Sequence, residues 1–142
     1  MSSLFFDANV LLDILLPGRA NHAKAVEAYI RACDRFDRLA TSENIVTTIE
    51  YIAAKNGTPC ETTARFFEVL EENFTLYGFG EILSEGFADY KTACKAGEKM
   101  DFEDMLQLKC AAFNGCSAFL TEDSGIHRLE NTALTVYRLD EI

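Results

Sequence analysis

The 142-residue chain contains no tryptophan, only two prolines and far fewer basic than acidic side chains. Thirteen lysines and arginines against 23 aspartates and glutamates give a formal charge of −10, which argues against a tight nonspecific binder of RNA or DNA. No apolar stretch approaches bilayer-spanning length, and the first residues do not resemble a signal peptide. We therefore expect a soluble, cytoplasmic protein without membrane association.

The cysteines also exclude some structures. They are five, an odd number, and include no Cys-x-x-Cys pair, which argues against a zinc site and favours buried, reduced thiols. They are Cys33, Cys60, Cys94, Cys110 and Cys116. A chain of this length with 49% apolar residues can bury a core without disulfides, so we predict one domain over residues 1–142.

Short apolar segments alternate with longer amphipathic ones, a pattern typical of βαβ units. The predicted strands cover residues 4–6, 38–41, 74–77, 117–120 and 133–137. The predicted helices cover about residues 8–16, 21–33, 42–56, 58–72, 82–96 and 102–114. This order predicts an α/β fold in which a central, mainly parallel sheet is covered by helices on both faces.

Several helix ends have recognisable capping residues. Asn21, Ser42 and Thr58 are predicted to cap the second, third and fourth helices. Thr58 is followed by proline at the first helical position and by glutamate three residues after the cap, which together indicate a capping box. Asn56-Gly57 is typical of a left-handed helix stop.

Acidic residues follow two predicted strands and open one helix. Asp7 ends the first strand, Asp123 follows the strand at 117–120, and Asp101 and Asp104 share one face at a helix start. If the two strands are neighbours, Asp7, Asp104 and Asp123 meet in the crevice between them, with Asp101 at its rim. Unpaired acids in such a crevice raise one another's pKa and favour a bound cation. Mg²⁺ or Mn²⁺ is predicted, because these ions take oxygen ligands and retain water.

Three segments resemble, in order and spacing, the acidic motifs of the PIN domain family. They are residues 5–13, 101–107 and 119–123, and the resemblance extends over nearly the whole chain. It implies a three-layer α/β/α fold and a metal-dependent ribonuclease, often the toxin of a VapBC-type toxin–antitoxin pair. The implied partners are an RNA substrate and an antitoxin protein.

The resemblance also implies roles for individual residues. Asp7, Asp104 and Asp123 would be the catalytic ligands of Mg²⁺ or Mn²⁺, Asn9 would brace the site by hydrogen bonding, and Asp101 would be an auxiliary acid. No residue is assigned to substrate binding.

One position departs from the family pattern. Many members carry a glutamate on the third helix, six residues after a serine like Ser42, and Thr48 occupies that position here. Glu50 lies two residues later, about 200° around a helix of about 3.6 residues per turn, so it cannot take the same place. Either the metal site works with three carboxylates supported by Thr48 or Glu43, or the nuclease activity of this chain is weakened or absent.

Other interpretations of these residues stay open. Asp7 could simply cap the first helix, and Asp101 or Asp104 could be an acid favoured at a helix start by the helix dipole. Asp123 could belong to a turn before Gly125. The Thr48 substitution and the charge of −10 suggest a second function, a catalytically silent PIN-fold module that binds protein or RNA. A phosphatase with a nucleophilic aspartate ranks last, because it would need an acid where Asn9 stands.

Two surface patterns suggest partners. Lys91, Lys95 and Lys99 recur every four residues and form either an ordinary solvated face or a guide for an RNA backbone. Phe66, Phe67, Val69 and Leu70 offer more apolar surface than one helix face needs. Core packing is the default explanation for them, and a homodimer or an antitoxin helix is the alternative.

Overall fold

A computed structural model describes residues 1–99, 101–127 and 134–142. Within these residues, five strands form one sheet in the order β3-β2-β1-β4-β5, and all neighbouring strands run parallel. The strands are β1 (Ser3–Phe6), β2 (Arg38–Ser42), β3 (Phe74–Tyr77), β4 (Ala118–Leu120) and β5 (Thr135–Tyr137). The helices are α1 (Ala8–Leu15), α2 (His22–Arg35), α3 (Val46–Lys55), α4 (Cys60–Asn73), α5 (Leu83–Lys95), α6 (Phe102–Phe113) and α7 (Ser124–His127). The predicted α/β fold with a parallel sheet is confirmed.

The sheet separates two apolar clusters, which makes the fold three-layered. Leu4 and Phe6 of β1 face the cluster formed with α1 to α4. Phe5 faces the opposite cluster, which includes residues of α6, and stacks on Phe119 with ring centroids 5.3 Å apart. A central parallel strand is covered on both faces, which explains why all four residues of β1 are buried and three of them are apolar.

The observed helix boundaries match those predicted from the sequence more closely than the observed caps match the predicted ones. Gly57 has a φ of +77°, as predicted for the left-handed stop after α3. Asn21 precedes α2 but makes no side-chain cap hydrogen bond. Ser42 also caps nothing, because a 3-10 turn at Glu43–Ile45 separates it from α3 and its hydroxyl is buried. The predicted capping box at Thr58 is wrong, since Pro59 itself precedes α4 and Glu61 therefore falls one position too early.

Smaller differences concern the chain ends and the cysteines. Helix α7 and a 3-10 turn at Leu139–Glu141 were not predicted, and residue 133 of the predicted last strand lies outside the described residues. Cys110 and Cys116 are buried as expected, whereas the other three thiols are exposed. In the described part of the chain, no helix combines the length and apolar character needed to cross a bilayer.

The packing of α6 on the sheet leads to a stability prediction. Phe119 has 0% exposure, and its replacement by alanine should lower the free energy of unfolding by about 3–5 kcal/mol, because a cavity remains under α6. Phe113 is 57% exposed, so Phe113→Ala is the matched control and should change stability by about 0.5 kcal/mol or less. Urea unfolding measures both variants, and equal losses would contradict the described packing.

Candidate functional site

Asp7 lies at the carboxyl edge of the sheet, directly after β1. Its backbone N–H donates to the Leu120 carbonyl at 3.1 Å, which extends the pairing of β1 with β4. Its side chain is not a cap of α1, and only 3% of the residue is exposed. The Thr121 hydroxyl donates to Asp7 Oδ2 at 2.8 Å. Asp7 is therefore an acid held inside the protein by a residue of the neighbouring strand end.

Thr121 connects Asp7 to Asp123. The Thr121 Oγ1 atom also accepts a hydrogen bond from the Asp123 backbone N–H at 3.0 Å. Asp123 Oδ1 in turn accepts from the Gly125 N–H at 2.7 Å, so this aspartate does serve the turn before α7. Sequence reasoning missed Thr121, because a single threonine after a strand carries no distinctive pattern.

Asp104 approaches the same edge from α6. Asp101 caps this helix, and its Oδ1 accepts from the Asp104 N–H at 3.0 Å. The Asp104 side chain is half-buried and close enough to Asp7 and Asp123 for their charges to act on it. The structure thus brings together Asp7, Asp104 and Asp123, with Asp101 at the start of the helix beside them.

Burial dominates the electrostatics of Asp7. Loss of water raises the pKa of Asp7 from 3.8 to about 6, and the charges of Asp123 and Glu103 add smaller increases. Hydrogen bonds from the Thr121 hydroxyl and the Ala8 amide act in the opposite direction without reversing the shift.

The pKa of Asp104 is raised as well. Burial raises the pKa of Asp104 to about 7, followed by repulsion from Asp101, Asp7 and Asp123 and by the hydrogen bond with Asp123. Several neighbouring acids raise both pKa values, so the described groups leave this edge short of positive charge.

The donor set suits a hard divalent cation. Among the residues the structure describes, no three His, Cys, Asp or Glu side chains form a ready-made cage. Mg²⁺ does not require one, because it is usually bound by one or two carboxylates and keeps several waters. The neighbouring carboxyl groups of Asp104 and Asp123, with Asp7 acting on them electrostatically, fit that requirement.

A cleft of about 240 Å³ opens next to the acids. Its lining residues are Asn9, Val10, Asp13, Arg19, Asn21, Glu122 and Asp123. Asn9 is exposed in this cleft and makes no hydrogen bond to Asp7 within the described residues, and its bracing role stays a prediction. Arg19 Nε donates to the buried Asp13 at 2.6 Å, which fixes the arginine at the cleft wall.

Thr48, Glu43 and Glu50 have no hydrogen bond to the acids in the part of the chain that the structure describes. Thr48 is half-buried in the first turn of α3. Glu43 points to Gly78, the residue after β3, on the far side of β2. Glu50 lines a separate pocket between α3 and α4. None of the three supplies a further carboxylate at the site.

Comparison with known proteins gives consistent results. The family model of the PIN domain matches residues 4–131. The chain is 30% identical over 137 residues to Ribonuclease VapC1 of Aquifex aeolicus (strain VF5), covering 93% of this chain and 89% of that protein.

Two solved structures share the fold. VapBC2 from Rickettsia felis, bound to a DNA fragment from its promoter, has a TM-score of 0.69 at 12% identity, covering 94% of this chain and 98% of that one. VapC20 of Mycobacterium tuberculosis, a sarcin-ricin loop cleaving toxin, has a TM-score of 0.71 at 10% identity, covering 87% and 92%.

The raised pKa of Asp7 predicts how stability depends on pH without divalent cations. Between pH 3.8 and about 6 the unfolded chain has lost the Asp7 proton and the folded chain retains it, so stability falls as pH rises through this window. The full penalty, present above that window, is about 3 kcal/mol. Asp7→Asn removes it and should stabilise the metal-free protein by about 1–3 kcal/mol at pH 7.5.

The stabilisation by Asp7→Asn should be clearly smaller at pH 4.5, where only part of the cost of ionising Asp7 in the folded protein is present. Urea unfolding at the two pH values measures it. Asp34→Asn, at an exposed position of α2, is the matched control and should change little at either pH. A gain from Asp7→Asn that is the same at both pH values would contradict the assignment of the penalty to Asp7.

Proposed function

The chain belongs to the PIN domain family, and we propose that it is a divalent-metal-dependent endoribonuclease of the VapC toxin type. The observation that carries this proposal is the meeting of Asp7, Asp104 and Asp123 at one sheet edge, where two carboxyl groups have raised pKa values. The 30% identity to a curated VapC ribonuclease over most of both chains supports the same reaction class.

The proposed roles follow from the position of each acid. Asp104 and Asp123 would hold Mg²⁺ or Mn²⁺, with Asp7 as the third ligand. When bound, such a cation supplies a water of lowered pKa and offsets negative charge on the scissile phosphate. The Thr121 hydroxyl keeps Asp7 oriented, and burial of Asp7 excludes bulk water from that side of the site.

The charge of the protein makes the cation necessary for substrate approach as well. With a net charge of −10, the chain repels a phosphodiester backbone, and the acids at the site add local repulsion. A divalent ion offsets most of that negative charge at the point where the phosphate must lie. We therefore propose that RNA binding, and not only cleavage, depends on the metal.

An antitoxin partner is part of this proposal. One structural relative is a VapBC2 assembly, and the other is a toxin that cleaves the sarcin-ricin loop. We propose that this chain likewise acts as the toxin of a pair in the cytoplasm, where its five free thiols would remain reduced. A homodimer remains a prediction from the sequence.

The silent PIN-fold module is the second candidate. Thr48 supplies no acid to the site, and the described residues contain no ready-made three-ligand cage. A silent copy should take up no Mn²⁺ tightly, so a calorimetric titration distinguishes it from the nuclease.

Cleavage of an end-labelled structured RNA tests the proposed reaction. Purified protein with Mn²⁺ should cut the RNA, and excess EDTA should stop the reaction. Asp7→Asn and Asp104→Asn should each reduce the cleavage rate by about 100-fold or more, since each removes a carboxylate from the charge-stabilising set. Asp34→Asn, which changes the net charge by the same amount far from the site, should cut at the parent rate. Unchanged cleavage by Asp7→Asn would refute the assignment.

A further inference from the structure

Two buried polar side chains lack hydrogen-bond partners among the described residues. They are Gln107, through both its amide oxygen and nitrogen, and Ser42, through its hydroxyl. Both residues have 0% exposure. Leaving a buried polar group unpartnered costs about 1–3 kcal/mol, and native proteins usually satisfy such groups with protein atoms, ordered water or an ion. An apolar side chain would fill either position at a lower free-energy cost of burial, so packing alone does not explain why these two side chains are polar.

The register of the two strands, when continued, places Ser42 opposite Asp7. In the parallel register of β1 and β2, Phe5 is opposite Ala40, and both pack in the cluster under α6. Because strand side chains alternate, the next residues on that face are Asp7 and Ser42. The Thr41 hydroxyl donates to the Phe6 carbonyl at 3.0 Å, so the two strands stay in contact up to this edge.

Gln107 lies one helical turn behind Asp104. On α6, residues 104, 107, 108 and 111 occupy one face, because they are three, four and seven positions apart. Leu108 and Ala111 of this face pack in the same cluster as Phe5 and Ala40. Gln107 therefore faces the sheet, between the apolar part of the interface and the acids.

We propose that Gln107 and Ser42 are positioning residues that hydrogen-bond the water entering the acid cluster together with a divalent cation. This inference rests on the proposed function. A carboxamide and a hydroxyl each offer both a donor and an acceptor, so they can hold water in a fixed orientation beside Asp7 and Asp104. Partners outside the ligand set commonly orient metal ligands and influence affinity.

Calorimetric titration of the full chain with Mn²⁺, together with thermal unfolding of the metal-free protein, tests the inference. Gln107→Leu should raise the Mn²⁺ Kd about tenfold or more. The same variant should keep or raise the metal-free Tm, because two unpartnered polar atoms are removed. Ser42→Ala should change the Kd in the same direction, by several-fold. Leu108→Met, a swap of similar volume at the next buried position, is the control and should leave the Kd unchanged.

The outcomes separate the inference from the function on which it rests. A lower Tm with an unchanged Mn²⁺ Kd in Gln107→Leu would show a structural role and overturn the inference. If Gln107→Leu does not fold, Ser42→Ala decides the matter, and an unchanged Kd in that variant overturns the inference. Absence of Mn²⁺ uptake by the parent protein would overturn both the inference and the proposed metal dependence. Uptake by the parent with equal Kd values in both variants overturns the inference alone.

Discussion

The parallel pairing of β1 with β4 determines where the acids of this protein meet. Phe6 lies opposite Leu120, and the Asp7 N–H continues the pairing by donating to the Leu120 carbonyl. The residue directly after β4 is Thr121, whose hydroxyl donates to Asp7 Oδ2. Since side chains alternate along a strand, a slip of one residue would place Asp7 in the wrong layer, away from α6. The geometry of the site therefore depends first on the register of the two strands, because the register decides which carboxyl groups can meet.

The strands and helices were predictable because their signals are local. Short segments with apolar side chains between the predicted helices located each strand to within two residues, apart from residue 133, which lies outside the described residues. Caps were less predictable, because a cap depends on where the side chain points after packing. Ser42 follows the capping pattern in sequence, yet its hydroxyl is directed into the interior by the alternation of β2.

The meeting of the acids was predictable for a topological reason. Parallel strands end at the same edge, so acids after two adjacent strands must come close, and a helix start between them adds Asp104. Thr121 and Gln107 were not predictable, because neutral polar residues carry no spacing pattern that separates them from ordinary surface or core positions.

The burial that raises the pKa of Asp7 to about 6 and that of Asp104 to about 7 also links this edge of the sheet to acidity. Near neutral pH these two carboxyl groups are therefore partly protonated, and the cation of the proposed function would have to displace their protons. Its binding would be an exchange of protons for metal, which acidification weakens. The same sheet edge that excludes water from the carboxyl groups would thereby make metal loading responsive to the pH of the surrounding medium.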